Sequence, residues 1–263
     1  MRKLESTRYT IVFATVVCVV CALLVSVAAV SLKPRQAANA RFYMEKNVLV
    51  AAGLIEPGRD ISARELDEIF ASRIQARLVE FATGNLVDAD KVDARSYDQR
   101  RARNDPAASR VAPRNDAGIG RMPEHGVVYF VRDGDKVEQV VIAVEGLGMW
   151  GTIYGFLALG PDGNTVRGLT FYDHRETPGL GGEIGTAEWL SLWDGRRGYD
   201  DKWHARITVI KGPAGSPEAD PLRVDGLSGA TITGNAVTKL MQFWLSDEGY
   251  GRFLRKFREG AVT

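Results

Sequence analysis

Near the end of the chain stands the stretch Val224-Asp225-Gly226-Leu227-Ser228-Gly229-Ala230-Thr231-Ile232-Thr233-Gly234-Asn235. Its glycines and alanine keep bulk away from a cluster of hydroxyl groups. An amphipathic segment follows at once, with apolar side chains at helical spacing at Val237, Leu240, Met241, Trp244 and Leu245. The hydroxyls are therefore predicted to lie at a helix N-terminus, where unpaired N–H groups and the positive end of the helix dipole can hold a phosphate.

The spacing of this stretch leaves a second interpretation open. Thr231 or Thr233 could simply cap the helix, as Ser and Thr commonly do. A cluster of Ser, Thr and Gly is a weak signal by itself. The choice between a phosphate site and a cap therefore depends on the rest of the chain.

Two further stretches carry a family resemblance together with the first. They are His174-Arg175-Glu176-Thr177-Pro178-Gly179-Leu180-Gly181-Gly182-Glu183 and Gly146-Leu147-Gly148-Met149-Trp150-Gly151-Thr152-Ile153-Tyr154-Gly155-Phe156. The three stretches resemble, in order, motifs of the extracytoplasmic FMN-binding domain family. Within it the chain is similar to the NqrC family, which belongs to the sodium-translocating NADH:quinone reductases. In the flavinylation motif of this family, the phosphate of FMN esterifies a threonine hydroxyl.

The resemblance implies an electron carrier with covalent FMN. Its partners would be the other subunits of a membrane complex that couples NADH oxidation and ubiquinone reduction to sodium export, and a flavin transferase that uses FAD during maturation. The location would be the bacterial inner membrane, with the large domain periplasmic. The chain shows no P-loop, dinucleotide-binding glycine motif or nucleophile–base pair. We therefore expect no catalytic residues on this chain alone.

The resemblance also implies roles for individual residues. Thr231 would be the acceptor, with Thr233 as the fallback. Glu176 and Thr177 would hydrogen bond to the flavin and Leu180 would pack on its face. Trp150 would stack beside the ring or belong to the core, and Lys211 would face the phosphate or only solvent. The remaining residues expected at the site are Asp225, Ser228, Gly229, Ala230 and Gly181.

Two other functions stay open at this point. One is the homologous flavin-carrying subunit of the ion-translocating ferredoxin:NAD reductase complex, which holds the same kind of flavin. The other is a membrane-anchored binding or sensory module in which the hydroxyl cluster only caps a helix. The long region before the first motif, roughly residues 33–121, fits the quinone-reductase family better than the ferredoxin:NAD reductase family.

Composition narrows the range of partners. The chain has 263 residues and a formal net charge of +1, so no nucleic-acid partner is expected. Cys18 and Cys21 lie in an apolar run and are interpreted as small apolar side chains. The three histidines lack ligand spacing, and no metal site is expected.

The apolar stretch from Ile11 to Leu32 is long enough to cross a bilayer. We interpret it as a retained transmembrane helix, although Ala38-Asn39-Ala40 would also suit a cleaved signal peptide. Basic residues lie on both sides of the stretch, so charge does not set its orientation. The predicted organisation is a cytoplasmic N-terminus over 1–10, the membrane helix over 11–32, a helical and irregular accessory region over 33–121, and the FMN-binding domain over 122–263.

Periodicity predicts an α+β fold with an antiparallel sheet. The expected strands cover 127–132, 137–144, 152–159 and 166–172, with others over 78–87 and 205–210. Helices are expected over 37–52, 62–74 and 186–193 and after Thr233. The segment 88–122 is predicted to be irregular.

Overall fold

The computed structural model describes residues 7–88 and 93–261. The chain forms two compact units, one up to Met44 and one from Glu45 onwards. Helix α1, Thr7–Ala51, begins in the first unit and ends in the second. Its apolar stretch is exposed, and the helix is long and apolar enough to cross a membrane. The helix predicted over 37–52 is confirmed as far as Ala51, but it is the continuation of α1 and not a separate element.

Helix α2, Ala63–Arg73, begins as predicted with Ser62, whose hydroxyl accepts the Glu65 N–H at 3.2 Å. The helix ends one residue earlier than expected, because Ile74 starts strand β1, Ile74–Glu80. The strand predicted over 78–87 is therefore misplaced. The chain turns after β1 and pairs back through β2, Asn85–Leu86.

The four predicted strands are confirmed as β5, His125–Asp133; β6, Lys136–Leu147; β7, Thr152–Leu159; and β8, Val166–Asp173. Together with β1 and β2 they form the main sheet, in which six antiparallel strands lie in the order β2-β1-β5-β6-β7-β8. Strand β1 pairs along its whole length with β5. A strand from the predicted accessory region thus lies inside the sheet.

The segment predicted to be irregular contains short elements. They are α3, Gln99–Asn104; β3, Ser109–Val111; and β4, Arg121–Pro123. Asp98 caps α3 by accepting the Arg101 N–H at 3.0 Å. Elements of three to six residues are too short to show a hydrophobic period, so the sequence pattern missed them.

The second half of the chain supplies the remaining elements. The predicted helix over 186–193 is α4, Ala187–Ser191. The strand predicted over 205–210 shortens to β9, Thr208–Val209, which pairs in parallel with β10, Arg223–Val224. Helices α5, Thr231–Trp244, and α6, Gly251–Arg258, follow.

Helix α5 packs closely on strand β6. A Cβ at Gly146 would lie 2.5 Å from Leu240 Cβ, so only glycine permits this approach. The indole of Trp244 donates to the Glu145 carbonyl at 2.6 Å. Phe253 of α6 packs on Phe130 of β5 with ring centroids 6.1 Å apart. The predicted α+β class is confirmed, and α5 is fixed against the sheet along its buried face.

Candidate functional site

The three sequence motifs meet at one carboxylate. Glu176 Oε1 accepts the Trp150 backbone N–H at 3.0 Å, and Glu176 Oε2 accepts the Thr233 hydroxyl at 2.5 Å. Glu176 is 4% exposed and Thr233 is 1% exposed. The buried carboxylate therefore links the β6–β7 turn, its own glycine-rich loop and the first turn of α5.

Glycines make room for this carboxylate. A Cβ at Gly148 would lie 2.6 Å from Glu176 Oε1, and a Cβ at Gly181 would lie 2.5 Å from Thr233 Oγ1. Neither position has space for a side chain. The predicted site residue Gly181 thus lies against the Thr233 hydroxyl, which explains why glycine is needed there.

The two threonines of the first motif lie in different environments. Helix α5 begins at Thr231, and the preceding Ala230 is its N-cap without a side-chain capping bond. Thr231 is exposed, whereas the Thr233 hydroxyl is committed to Glu176. The capping interpretation is therefore wrong for both threonines. The first-turn N–H groups, which have no side-chain cap, can donate hydrogen bonds to a phosphate.

The turn before α5 presents the other predicted phosphate residues. Ser228 and Gly229 are exposed beside Thr231, while Ala230 is buried. Gly229 adopts a φ of +69°, a conformation that favours glycine. A Cβ built on Gly229 would lie 3.0 Å from Leu180 Cδ2, so Leu180 lies directly beside this turn.

Large apolar side chains are exposed on the three motif segments. Trp150 is 61% exposed, so the interpretation of this tryptophan as a core residue is wrong. Leu180 is also exposed. Three further exposed apolar residues on these segments were not predicted from the sequence: Leu147, Met149 and Ile232. We call these three residues, together with Trp150 and Leu180, the apolar rim. Exposed apolar side chains close to a polar anchor suit a flat aromatic ligand.

Thr177 lies on the exposed part of the glycine-rich loop. Its carbonyl accepts the N–H groups of Leu180 at 3.1 Å and Gly182 at 2.8 Å. These bonds shape the turn that carries Leu180 to the surface. His174 at the start of this loop is half-buried. Among residues 7–88 and 93–261, no three His, Cys, Asp or Glu side chains converge to hold a metal.

Asp225 fixes the loop that carries Lys211. Asp225 Oδ1 accepts the Ala214 N–H at 2.9 Å, and its carbonyl accepts the Trp189 indole N–H at 3.1 Å. Gly226 N–H donates to the Gly212 carbonyl at 2.9 Å. The predicted site residue Asp225 thus positions a neighbouring loop, and Lys211 is exposed on that loop.

Arg196 supports the same loop from the interior and was missed by sequence reasoning. The side chain is 1% exposed and donates to the carbonyls of Leu192 at 3.1 Å, Gly215 at 2.5 Å and Asp220 at 2.7 Å. In the sequence, Arg196 is followed by a second arginine, and nothing in the local pattern indicates that the first of the two is buried. Three carbonyl acceptors compensate its charge and tie the loop to the domain.

A second buried carboxylate lies at the same end of β6. Glu145 Oε2 is 3.0 Å from Arg103 Nη1, and Arg103 Nη2 donates to the Tyr154 hydroxyl at 3.1 Å. Burial raises the pKa of Glu145 although Arg103 acts in the opposite direction. A half-open pocket of about 440 Å³ adjoins this cluster and is lined by Arg100, Leu147, Gly151, Thr152, Tyr154, Asp173 and Arg175.

Comparison with known proteins assigns the chain to a family. Residues 148–246 match the FMN-binding domain family, and this range contains all three motif centres. The NqrC protein of the Na(+)-translocating NADH-quinone reductase of Vibrio anguillarum is 41% identical over 261 residues, covering 98% of each chain. The corresponding Pseudomonas aeruginosa protein is 41% identical over 263 residues, covering 99% of each chain.

A solved structure supports the same assignment. The structure of Shewanella oneidensis NqrC superposes with a TM-score of 0.76 at 34% identity, covering 84% of this chain and 99% of that one. The similarity to NqrC proteins thus extends over sequence and fold. The chain therefore belongs to the NqrC family of Na(+)-translocating NADH-quinone reductase subunits.

Proposed function

We propose that this chain is the electron-carrier subunit of a sodium-translocating NADH:quinone reductase and carries FMN in a phosphoester bond to Thr231. The observation that supports this most directly is the exposed Thr231 at the uncapped start of α5, beside the two companion motifs. Similarity to NqrC proteins along nearly the whole chain favours this function over the ferredoxin:NAD reductase alternative.

The residues present fit an FMN group. The uncapped first turn of α5 offers N–H donors to the phosphate, and the turn before it contains Gly229 at a positive φ. Trp150 and Leu180 of the apolar rim would contact the ring, and Thr177 would hydrogen bond to its polar edge. When bound, FMN supplies one-electron carriage. The protein supplies the anchor, the ring contacts and a fixed orientation.

Covalent attachment requires a second enzyme and a flavin donor. The Thr231 oxygen would form a bond to the phosphorus of the FMN half of FAD. The bond from that phosphorus to the bridging oxygen would break, AMP would leave, and the hydroxyl proton would pass to solvent. The chain would gain the mass of FMN less one water. Exposure of Thr231 supports this route, because a flavin transferase must reach its hydroxyl.

Intact mass spectrometry and in-gel fluorescence of the full chain, co-expressed with a flavin transferase, test the attachment. We expect one FMN on the wild type, none on Thr231→Ala, and an unchanged adduct on Asn235→Ala, an exposed residue of the same helix. A fully flavinylated Thr231→Ala variant would move the acceptor to Thr233 or elsewhere. A colourless, unmodified wild type would instead support a binding or sensory module without a flavin.

The membrane arrangement is part of the same proposal. Helix α1 would cross the bacterial inner membrane once, and the unit from Glu45 onwards would lie in the periplasm. The length and apolar composition of α1 support the single crossing. Alkaline phosphatase fused to the C-terminus should be active, because this enzyme folds only outside the cytoplasm. An inactive phosphatase fusion with a fluorescent green fluorescent protein fusion would reverse the orientation.

A further inference from the structure

We propose that Glu176 is a positioning residue for flavin attachment, which holds the Thr233 hydroxyl so that the first turn of α5 presents Thr231 alone. This inference rests on the proposed function and adds a role that differs from direct flavin contact. Both carboxylate oxygens of Glu176 already accept hydrogen bonds from within the chain.

Helix geometry makes the two threonines mutually exclusive. Residues two positions apart on an α-helix point about 200° away from each other around the axis. With Thr233 directed inward at 1% exposure, Thr231 must point outward. The buried face of α5 sets this rotation, and the bond to Glu176 holds the first turn in it, because the buried Thr233 hydroxyl would lose its partner if that turn shifted.

Neutral donors compensate the Glu176 carboxylate. Across the described ranges, no lysine, arginine or histidine forms an ion pair with it; its partners are the Trp150 N–H and the Thr233 hydroxyl. A buried carboxylate with two short-range donors is sensitive to the loss of either one. Glu176 therefore responds to small shifts of α5, which suits a residue that sets the position of that helix.

The second carboxylate oxygen of Glu176 holds the turn before β7 in place. Oε1 holds the backbone of Trp150, whose side chain belongs to the apolar rim. One side chain thus fixes both the anchor helix and the turn that carries Trp150. A flavin attached at Thr231 would therefore lie close to the turn that carries Trp150.

The test measures the rate of flavinylation of the full chain in detergent with purified flavin transferase and FAD. The variants are Glu176→Leu, which removes both carboxylate acceptors, Thr233→Val, their combination, and Thr233→Ser, which keeps the hydroxyl. Glu183→Leu is the matched control, because Glu183 lies in the short 3-10 helix Gly181–Gly185 that follows the loop and is not among the proposed site residues. Peptide mapping locates the flavin, and the thermal unfolding midpoint of each variant shows that it is folded.

We expect Glu176→Leu and Thr233→Val each to slow labelling of Thr231 at least tenfold. The double variant should be no slower than the slower single variant, because both changes break the same bond. Thr233→Ser should stay within twofold of the wild type, as should Glu183→Leu. Should Thr233→Val fail to fold, the contrast between Glu176→Leu and Thr233→Ser decides the question.

Several outcomes would overturn this role. The role would be refuted if the single variants were labelled at the wild-type rate, or if their effects multiplied in the double variant. It would also be refuted if Thr233→Ser were labelled as slowly as Thr233→Val. A wild type that takes up no flavin at Thr231 would instead refute the proposed function itself. The two failures are therefore distinguishable in one experiment.

Discussion

Glu145 and Glu176 are both 4% exposed and lie at the same end of the sheet, but their charges are compensated differently. Glu145 faces the guanidinium of Arg103 at 3.0 Å. Glu176 faces one backbone N–H and one hydroxyl. The comparison separates two uses of a buried carboxylate. Both carboxylates join distant segments of the fold, but Glu145 does so through a cation and Glu176 through neutral donors alone.

The Glu145 cluster joins α3 to the sheet. Arg103 lies on α3 and reaches both Glu145 on β6 and the hydroxyl of Tyr154 on β7. Removing one partner of a buried pair leaves an uncompensated charge, which costs more than the pair itself contributes. The Glu176 cluster should respond less in stability and more in flavin attachment. Four measurements test this difference between the two carboxylates.

The largest expected effect on stability is that of Arg103→Ala. This change leaves Glu145 buried without its cation, and the free energy of unfolding should fall by about 3–5 kcal/mol. Urea unfolding of the full chain in detergent, followed by tryptophan fluorescence, measures the loss. Arg110→Ala is the control, because Arg110 forms an exposed pair with Glu248 at 3.5 Å that should contribute less than about 1 kcal/mol. If both variants lost the same unfolding free energy, the buried pair of Arg103 and Glu145 would contribute no more than an exposed one.

Gly148→Ala should have the next largest effect. The new Cβ would lie 2.6 Å from Glu176 Oε1 and 2.8 Å from Ile153 Cδ1. Crowding of this kind costs about 1–3 kcal/mol, and flavin attachment should slow with it. Gly120→Ala is the matched control, because its Cβ would meet nothing within 4 Å. Unfolding curves and flavinylation rates that match those of the control would show that the Glu176 cluster tolerates displacement.

Glu145→Gln should change the pH dependence of stability. Burial raises the folded-state pKa of Glu145 above its ordinary value of about 4.5, so the folded protein binds this proton more tightly than the unfolded chain does. The stabilisation that comes from protonated Glu145 is therefore present at low pH and is lost as pH rises through the folded-state pKa. The Glu145→Gln variant cannot ionise at this position, so its stability does not fall for this reason. The difference in unfolding free energy, wild type minus variant, should fall as pH rises from 4 towards 7.

A constant or rising difference over that range would contradict the direction of the Glu145 shift. Chemical unfolding at each pH provides the values.

The smallest expected effect on stability is that of Trp150→Ala. Trp150 is 61% exposed, and its contribution to the Glu176 cluster comes from its backbone N–H, which alanine retains. The free energy of unfolding should change by less than about 0.5 kcal/mol. The absorption and fluorescence of the attached flavin should change, because the ring loses an aromatic neighbour. An unchanged flavin spectrum would show that the ring lies elsewhere on the apolar rim.

Local sequence predicted a large part of this molecule. The strands β5 to β8 and helix α5 follow from hydrophobic period and turn residues, which act over a few neighbouring positions. Strand β1 was displaced by several residues, because its position depends on pairing with β5 about 50 residues away in sequence. The burial of Arg196 was missed for a similar reason, since its acceptors come from a distant loop.

The amino-acid sequence was sufficient to identify the family, the α+β class, the apolar helix and the segments that meet at the candidate site. These depend on composition, periodicity and motif order, which are properties of the linear chain. Which hydroxyl is exposed depends on the folded structure. Thr231 and Thr233 are chemically alike and two residues apart, and only the packing of α5 against Glu176 turns one outward and the other inward.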